Sequence, residues 1–95
     1  MSTGSHSTVQ LDNEHFRVTQ WTIEPGGTIP MHTHEHEYVV IPLVTAAMHV
    51  ANADGTSFDA ALETGVSYSR PAGSEHEISN TASAEPIVFV EVERL

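Results

Sequence analysis

Turn signals break this chain into pieces too short for ordinary helices. Pro25-Gly26-Gly27, Asn52-Ala53-Asp54-Gly55, Glu63-Thr64-Gly65, the loop over 71–74 and the stretch 82–86 follow one another at short intervals. Proline removes a ladder donor and glycine permits the tight turn, so each of these marks a chain reversal. Between them lie short runs rich in β-branched and aromatic residues: 16–24 (FRVTQWTIE), 37–43, 46–51, 57–62, 66–70, 75–80 and 87–93, with 28–30 leading into a histidine-rich stretch. Phe16 and Val18 fall on one face of the first run and Trp21 and Ile23 on the other, as expected of a strand covered on both sides. No segment carries apolar residues at i, i+3, i+4, i+7 over ten or more positions. The expectation is an all-β fold of about eight short antiparallel strands with no substantial helix. So many strands in so short a chain point to a barrel-like double sheet of the jelly-roll kind.

A chain of 95 residues accommodates one domain. The first eight residues, MSTGSHST, are small and polar and read as a flexible leader before a single domain over 9–95. They lack the basic and apolar regions of a signal peptide, and a soluble cytoplasmic protein is expected. Cysteine is absent, which excludes disulfides, thiolate metal sites and cysteine nucleophiles. Thirteen acidic residues face three basic ones, all arginine, for a formal net charge of −10. That balance argues against nucleic acid and against anionic lipid as partners, since both need a basic footprint. It leaves a small-molecule ligand or substrate open.

The chemistry is concentrated in residues 30–40, PMHTHEHEYVV, which hold His32, His34, Glu35, His36 and Glu37 within six positions. Neutral imidazoles and carboxylates are the ligands of borderline divalent metals. On an extended backbone alternate residues share a face about 7 Å apart, so two of these histidines can close on one ion. Forty residues later a strand, a Pro/Gly turn and His76 follow in order. Alone, His76 reads as structural; with the first cluster it becomes a candidate ligand delivered from a distant part of the sheet.

Two spacings resemble the motifs of the cupin family. Gly26, His32 and His34 match the start of G-x5-H-x-H-x3,4-E-x6-G, and Gly65, Pro71, Gly73, His76 and Asn80 match G-x5-P-x-G-x2-H-x3-N at every position. The resemblance covers about residues 16–95 and implies a double-stranded β-helix with one divalent metal inside the barrel. Carried over by position, it implies His32, His34 and His76 as ligands. The family glutamate falls at Tyr38 or Val39, so Glu37 by way of a bulge, His36, or water remain as alternatives for the fourth place. Strand parity favours Glu37, on the expectation that Val39 and Ile41 line the barrel. The closing glycine of the first motif is replaced within residues 44–47. The run H-x-H-x-H-E-Y-V-V and the later R-P-A-G-S-E-H resemble small cupins associated with β-alanine catabolism genes.

The resemblance implies a metal-binding cupin, and the expected activity is that of a metal-dependent enzyme on a small polar organic substrate, of dioxygenase, isomerase or lyase type. A non-catalytic ligand-binding module, or a barrel merely stapled by its ion, is the alternative. Iron, manganese, nickel, cobalt and zinc all suit such a donor set. A homodimer joined at sheet edges is expected from the family. Arg70 reads either as a surface ion-pair partner or as a substrate-carboxylate binder. Tyr38 and Tyr68 read as cross-strand packing residues, with a pocket role as the alternative, and His6, His15 and His49 as inert surface residues. No G-x-S-x-G elbow or phosphate-binding glycine loop competes.

Overall fold

The alternation in the sequence becomes nine strands in a computed structural model that describes residues 3–95. These are β1 (Ser5–Asp12), β2 (Phe16–Ile23), β3 (Thr28–Thr33), β4 (Tyr38–Pro42), β5 (Ala46–Asn52), β6 (Ser57–Leu62), β7 (Tyr68–Arg70), β8 (Glu75–Ser79) and β9 (Ile87–Arg94). One sheet has the order β1-β2-β9-β4-β7 and the other β3-β8-β5-β6. All pairs are antiparallel. The inner faces meet in a core to which Ile23, Ile87 and Phe89 contribute from the first sheet and Ile29, Val50 and Ile78 from the second. Burying an aliphatic or aromatic side chain of this kind stabilises the fold by roughly 1.5–3 kcal/mol. No helix of the described residues is long and apolar enough to cross a membrane.

The structure differs from the sequence reading at the N-terminus. Residues 5–8, read as part of a leader, belong to β1, while Met1 and Ser2 lie outside the described residues. β1 gave no hydropathy signal because nearly every one of its residues is exposed. It is held by its backbone ladder to β2. Just before it, the Glu24 amide donates to Gly4 O at 2.8 Å and the Thr28 amide to Thr3 O at 2.8 Å, while the Ser5 hydroxyl donates to Thr28 O at 2.8 Å. Backbone pairing of this kind leaves no trace in side-chain periodicity.

A second difference concerns β4. Tyr38, Val40 and Pro42 are the buried residues, while Val39 is exposed and Ile41 half-buried. The inward face therefore belongs to the even-numbered positions. The continuous apolar run concealed this parity, since a strand apolar on both faces carries no period-two signal.

Asn80, which closes the second motif, is a latch. It is fully buried. Its amide nitrogen donates to Ile23 O at 3.0 Å and to Glu85 O at 2.9 Å, and its Oδ1 accepts the Ser83 amide at 3.3 Å. One side chain thereby ties the end of β8 to the end of β2 and to the loop entering β9. Asn80→Ala would leave these buried groups without partners, and a loss of about 2–3 kcal/mol is expected. Urea denaturation with an unchanged m-value would register it as a lower midpoint.

Candidate metal centre

The first two histidines stand on and just beyond β3, and the third stands on β8. In the β3–β8 ladder Ile29 faces Ile78 and His32 faces His76 across one irregularity, between Ile29 and His32. Ile29 is buried in the core and His32 joins the interior group, although they are three residues apart. A regular strand would send them to opposite faces, and the extra residue of a bulge resolves the conflict. The bulge falls on Pro30 and Met31, both exposed, and proline suits such a place because it has no ladder donor to lose. His34 is then pinned by two backbone bonds: its amide donates to Ser74 O at 2.8 Å, and the Gly73 amide donates to His34 O at 2.8 Å. Gly73 has φ +96°, a conformation that favours glycine. The glycine of the second motif thus serves to hold the two histidine segments together.

The three rings converge through their Nε2 atoms. His34 Nε2 lies 3.0 Å from His32 Nε2 and 3.1 Å from His76 Nε2. The ring planes meet edge-on, with interplanar angles of 73–77°. His32 Nδ1 lies 2.7 Å from Pro30 O. A carbonyl only accepts, so Nδ1 carries the proton and the Nε2 lone pair points into the group. Burial, followed by the charges of His32 and His76, holds His34 down at about 4. Burial, followed by His32 and Arg70, holds His76 down at about 4. Both rings are neutral at pH 7, the state in which imidazole is a ligand.

This donor set fits a divalent metal. Two nitrogens bound at right angles to one ion with bonds of about 2.1 Å stand about 3 Å apart, which matches the Nε2 spacing. Ligand atoms of His32, His34 and His76 all lie within 4.8 Å of one another. Glu37 is not brought into this group; it is exposed, and it precedes the inward-facing Tyr38 on a strand of the opposite parity. His36 is half-buried and also lies outside the group. The position of the family glutamate is held by Tyr38, whose ring stacks on His34 at 4.0 Å between centroids. Burial, with Glu91 nearby, raises the Tyr38 hydroxyl well above its ordinary range, so it stays a protonated phenol.

Two spaces meet at the triad. A partly enclosed cavity of about 150 Å³ is lined by His76 with Tyr38, Tyr68, Arg70, Asn52 and Glu91 among others. An open groove of about 600 Å³ is lined by His32, His34 and His36, with Trp21, Arg17 and, again, Glu91.

Glu91 is the functional candidate that sequence reasoning passed over. Among the described residues it is the one buried carboxyl. Burial and then Glu93 push it up to about 7, opposed by a hydrogen bond to Trp21. The signal was present in the alternation: Ile87 and Phe89 face inward, so Glu91 does too. The remaining histidines lie at the surface, with His6 and His15 exposed and His49 Nδ1 2.9 Å from Asp59 Oδ1.

The raised carboxyl has a consequence for stability. A carboxyl with a folded pKa above its unfolded value keeps its proton more readily in the folded chain. Its contribution is fully present below about 4.5 and is lost as pH rises through about 7. Glu91→Gln cannot ionise, so at pH 8 it is expected to be more stable than the parent chain by on the order of 2–3 kcal/mol. At pH 4.5 the two should be nearly equal. Paired urea titrations at the two pH values check this, because the opposing contributions of His34 and His76 are common to both chains.

Comparison with known proteins agrees with this geometry. The cupin domain family matches residues 19–93. The chain is similar to the beta-alanine degradation protein BauB of Pseudomonas aeruginosa, 43% identical over 86 residues that cover 90% of this chain and 88% of that one. Among solved structures it is similar to a cupin domain from Bordetella pertussis, with a TM-score of 0.92, 40% identity, and coverage of 100% of this chain and 97% of that one. The polyketide cyclase RemF of Streptomyces resistomycificus shares the fold, with a TM-score of 0.76 at 21% identity over 98% of this chain and 66% of that one. The two packed antiparallel sheets are thus the double-stranded β-helix, and the chain belongs to the cupin family.

Proposed function

We propose that this protein is a metal-dependent enzyme acting on a small polar organic substrate, with His32, His34 and His76 holding the ion. The observation that carries this reading is the convergence of three Nε2 atoms, two of them on rings kept neutral by burial, beside a cavity with polar walls. A merely structural staple would be expected to close its ligand set with a fourth side chain. Here the described residues contribute three, and the space beyond them is lined by Tyr38, Asn52 and Glu91.

A bound divalent ion supplies Lewis acidity toward a carbonyl or enolate oxygen, or redox chemistry if it is iron. Iron, manganese, nickel, cobalt and zinc all suit the donors. The chain's own residues supply the rest. Glu91, with its pKa near 7, is matched to accept or return a proton at neutral pH. Tyr38 keeps its proton and lines the cavity with a phenol able to donate to a bound ligand. The walls of β4, β5 and β9 bury much of the cavity, and a lower local dielectric strengthens each of these interactions. The chemistry falls within the dioxygenase, isomerase and lyase types. Similarity to a beta-alanine degradation protein supports a substrate of comparable size and polarity. We further propose a cytoplasmic location and a homodimer joined at a sheet edge, for which β1, an edge strand exposed along nearly all its length, is the candidate.

Metal content is the direct test. Protein purified from its native host is expected to carry close to one divalent ion per chain. His32→Ala and His76→Ala are each expected to lower metal affinity by at least about tenfold, whereas Glu37→Ala leaves it unchanged. Full metal content in both histidine variants would remove the centre from the reading.

A further inference from the structure

Among the described residues, one charged side chain lining the interior has no ion-pair partner. Of the three arginines, Arg17 places Nε 3.4 Å from Asp12 Oδ2, and Arg94 is exposed at the end of β9. Arg70 is half-buried, and among the described residues no carboxylate oxygen lies within 4.0 Å of it. In a chain with thirteen acids an arginine free to choose would find one. Its guanidinium carbon instead lies 5.5 Å from the centroid of the Phe58 ring and 5.7 Å from that of Tyr68. The two aromatic faces hold a long side chain in place without neutralising it.

The position matters as much as the charge. Phe58, Tyr68 and Arg70 line the enclosed cavity and also an outer groove along β6 and β7, so the guanidinium stands where the two approach each other. His76 lines the same cavity. We propose that Arg70 docks the carboxylate of a small monocarboxylate that fills the enclosed cavity and turns its other end toward the His32–His34–His76 centre. This deepens the functional reading above and rests on it for the identity of the reacting end.

Three physical features support the assignment. A guanidinium offers paired N–H donors matched to the two oxygens of a carboxylate. The net charge of −10 repels anions from the protein as a whole, so an anionic ligand needs a fixed local cation to enter. The cavity, at about 150 Å³, is of the size that accepts a molecule of roughly six heavy atoms. One carboxylate and a short chain fill it, with Met48 and Val50 against the chain.

Binding to the metal-free protein isolates this site from the metal. Propionate, its uncharged isostere propionamide, and hexanoate are titrated against metal-free protein, with binding read by amide chemical shifts and melting temperature. Propionate is expected to bind and to raise the melting temperature; propionamide and hexanoate are not. Arg70→Gln is expected to weaken propionate binding by at least about tenfold while retaining wild-type metal content. Arg70→Lys keeps the charge but loses the paired donors, and is expected to bind several-fold more weakly than wild type, which keeps the test decisive should the glutamine variant fail to fold. Equal shifts with propionate and propionamide would overturn the proposal, as would undiminished propionate binding in either variant. Retained propionate binding in a protein whose His32→Ala and His76→Ala variants keep full metal would uphold the docking role and sink the metal centre alone.

Discussion

The pairing of β3 with β8 is the contact on which the rest of the molecule depends. It joins two segments more than forty residues apart and sets His32 opposite His76. It also brings the chain after β3 close enough to the 71–74 loop for the two backbone bonds between His34 and the Gly73–Ser74 pair. None of these bonds is strong: a backbone hydrogen bond contributes on the order of 1 kcal/mol net. Their effect is positional. Three imidazole rings are held with their Nε2 atoms converging, an arrangement that would relax if either strand could slide. The apolar neighbours Ile29 and Ile78 prevent sliding, because a slip of one residue would carry them out of the core.

The interior has an electrical character opposite to that of the surface. The surface carries nearly all of the acidic excess. Inside, two histidines are kept neutral, the Tyr38 phenol keeps its proton, and the Glu91 carboxyl is shifted toward its neutral form. Desolvation is the leading cause in each case, and the low dielectric that produces it also magnifies any charge that does enter. An ion bound by the triad or an anion held by Arg70 would therefore act strongly on its neighbours. Such a setting is characteristic of reactive centres more than of structural ones.

Much of this was legible in the residues, and the exceptions are instructive. Seven of the nine strands follow from apolar runs and turn residues, while β3 reads only as the lead-in to the histidine stretch. The two spaced motifs pointed to His32, His34 and His76 before any geometry was available. β1 was missed because it buries almost nothing, and a strand held by backbone bonds alone has no hydropathic signature. The inward face of β4 was assigned the wrong way round, since Val39, Val40 and Ile41 are interchangeable to any periodicity argument; Glu37 was favoured as a ligand on that mistaken parity. Tyr38 reads as packing in the sequence, and the structure stacks its ring on His34. Glu91 could have been found by extending the alternation of β9 inward to its one acidic position. The lack of an ion pair at Arg70 could not have been read from sequence, because it depends on which acids the fold leaves out of reach.

The irregularity at Pro30 and Met31 makes local backbone shape, and not residue type alone, a property under constraint. Smoothing the ladder without removing a residue would swing the imidazole of His32 to the solvent side, while hydropathy, charge and the count of histidines stayed the same. Removing one of the two exposed residues would instead leave Ile29 and the histidine two positions apart, on the same face of a regular strand. A relative one residue shorter at this point would therefore carry its histidine opposite the same neighbour with no bulge at all.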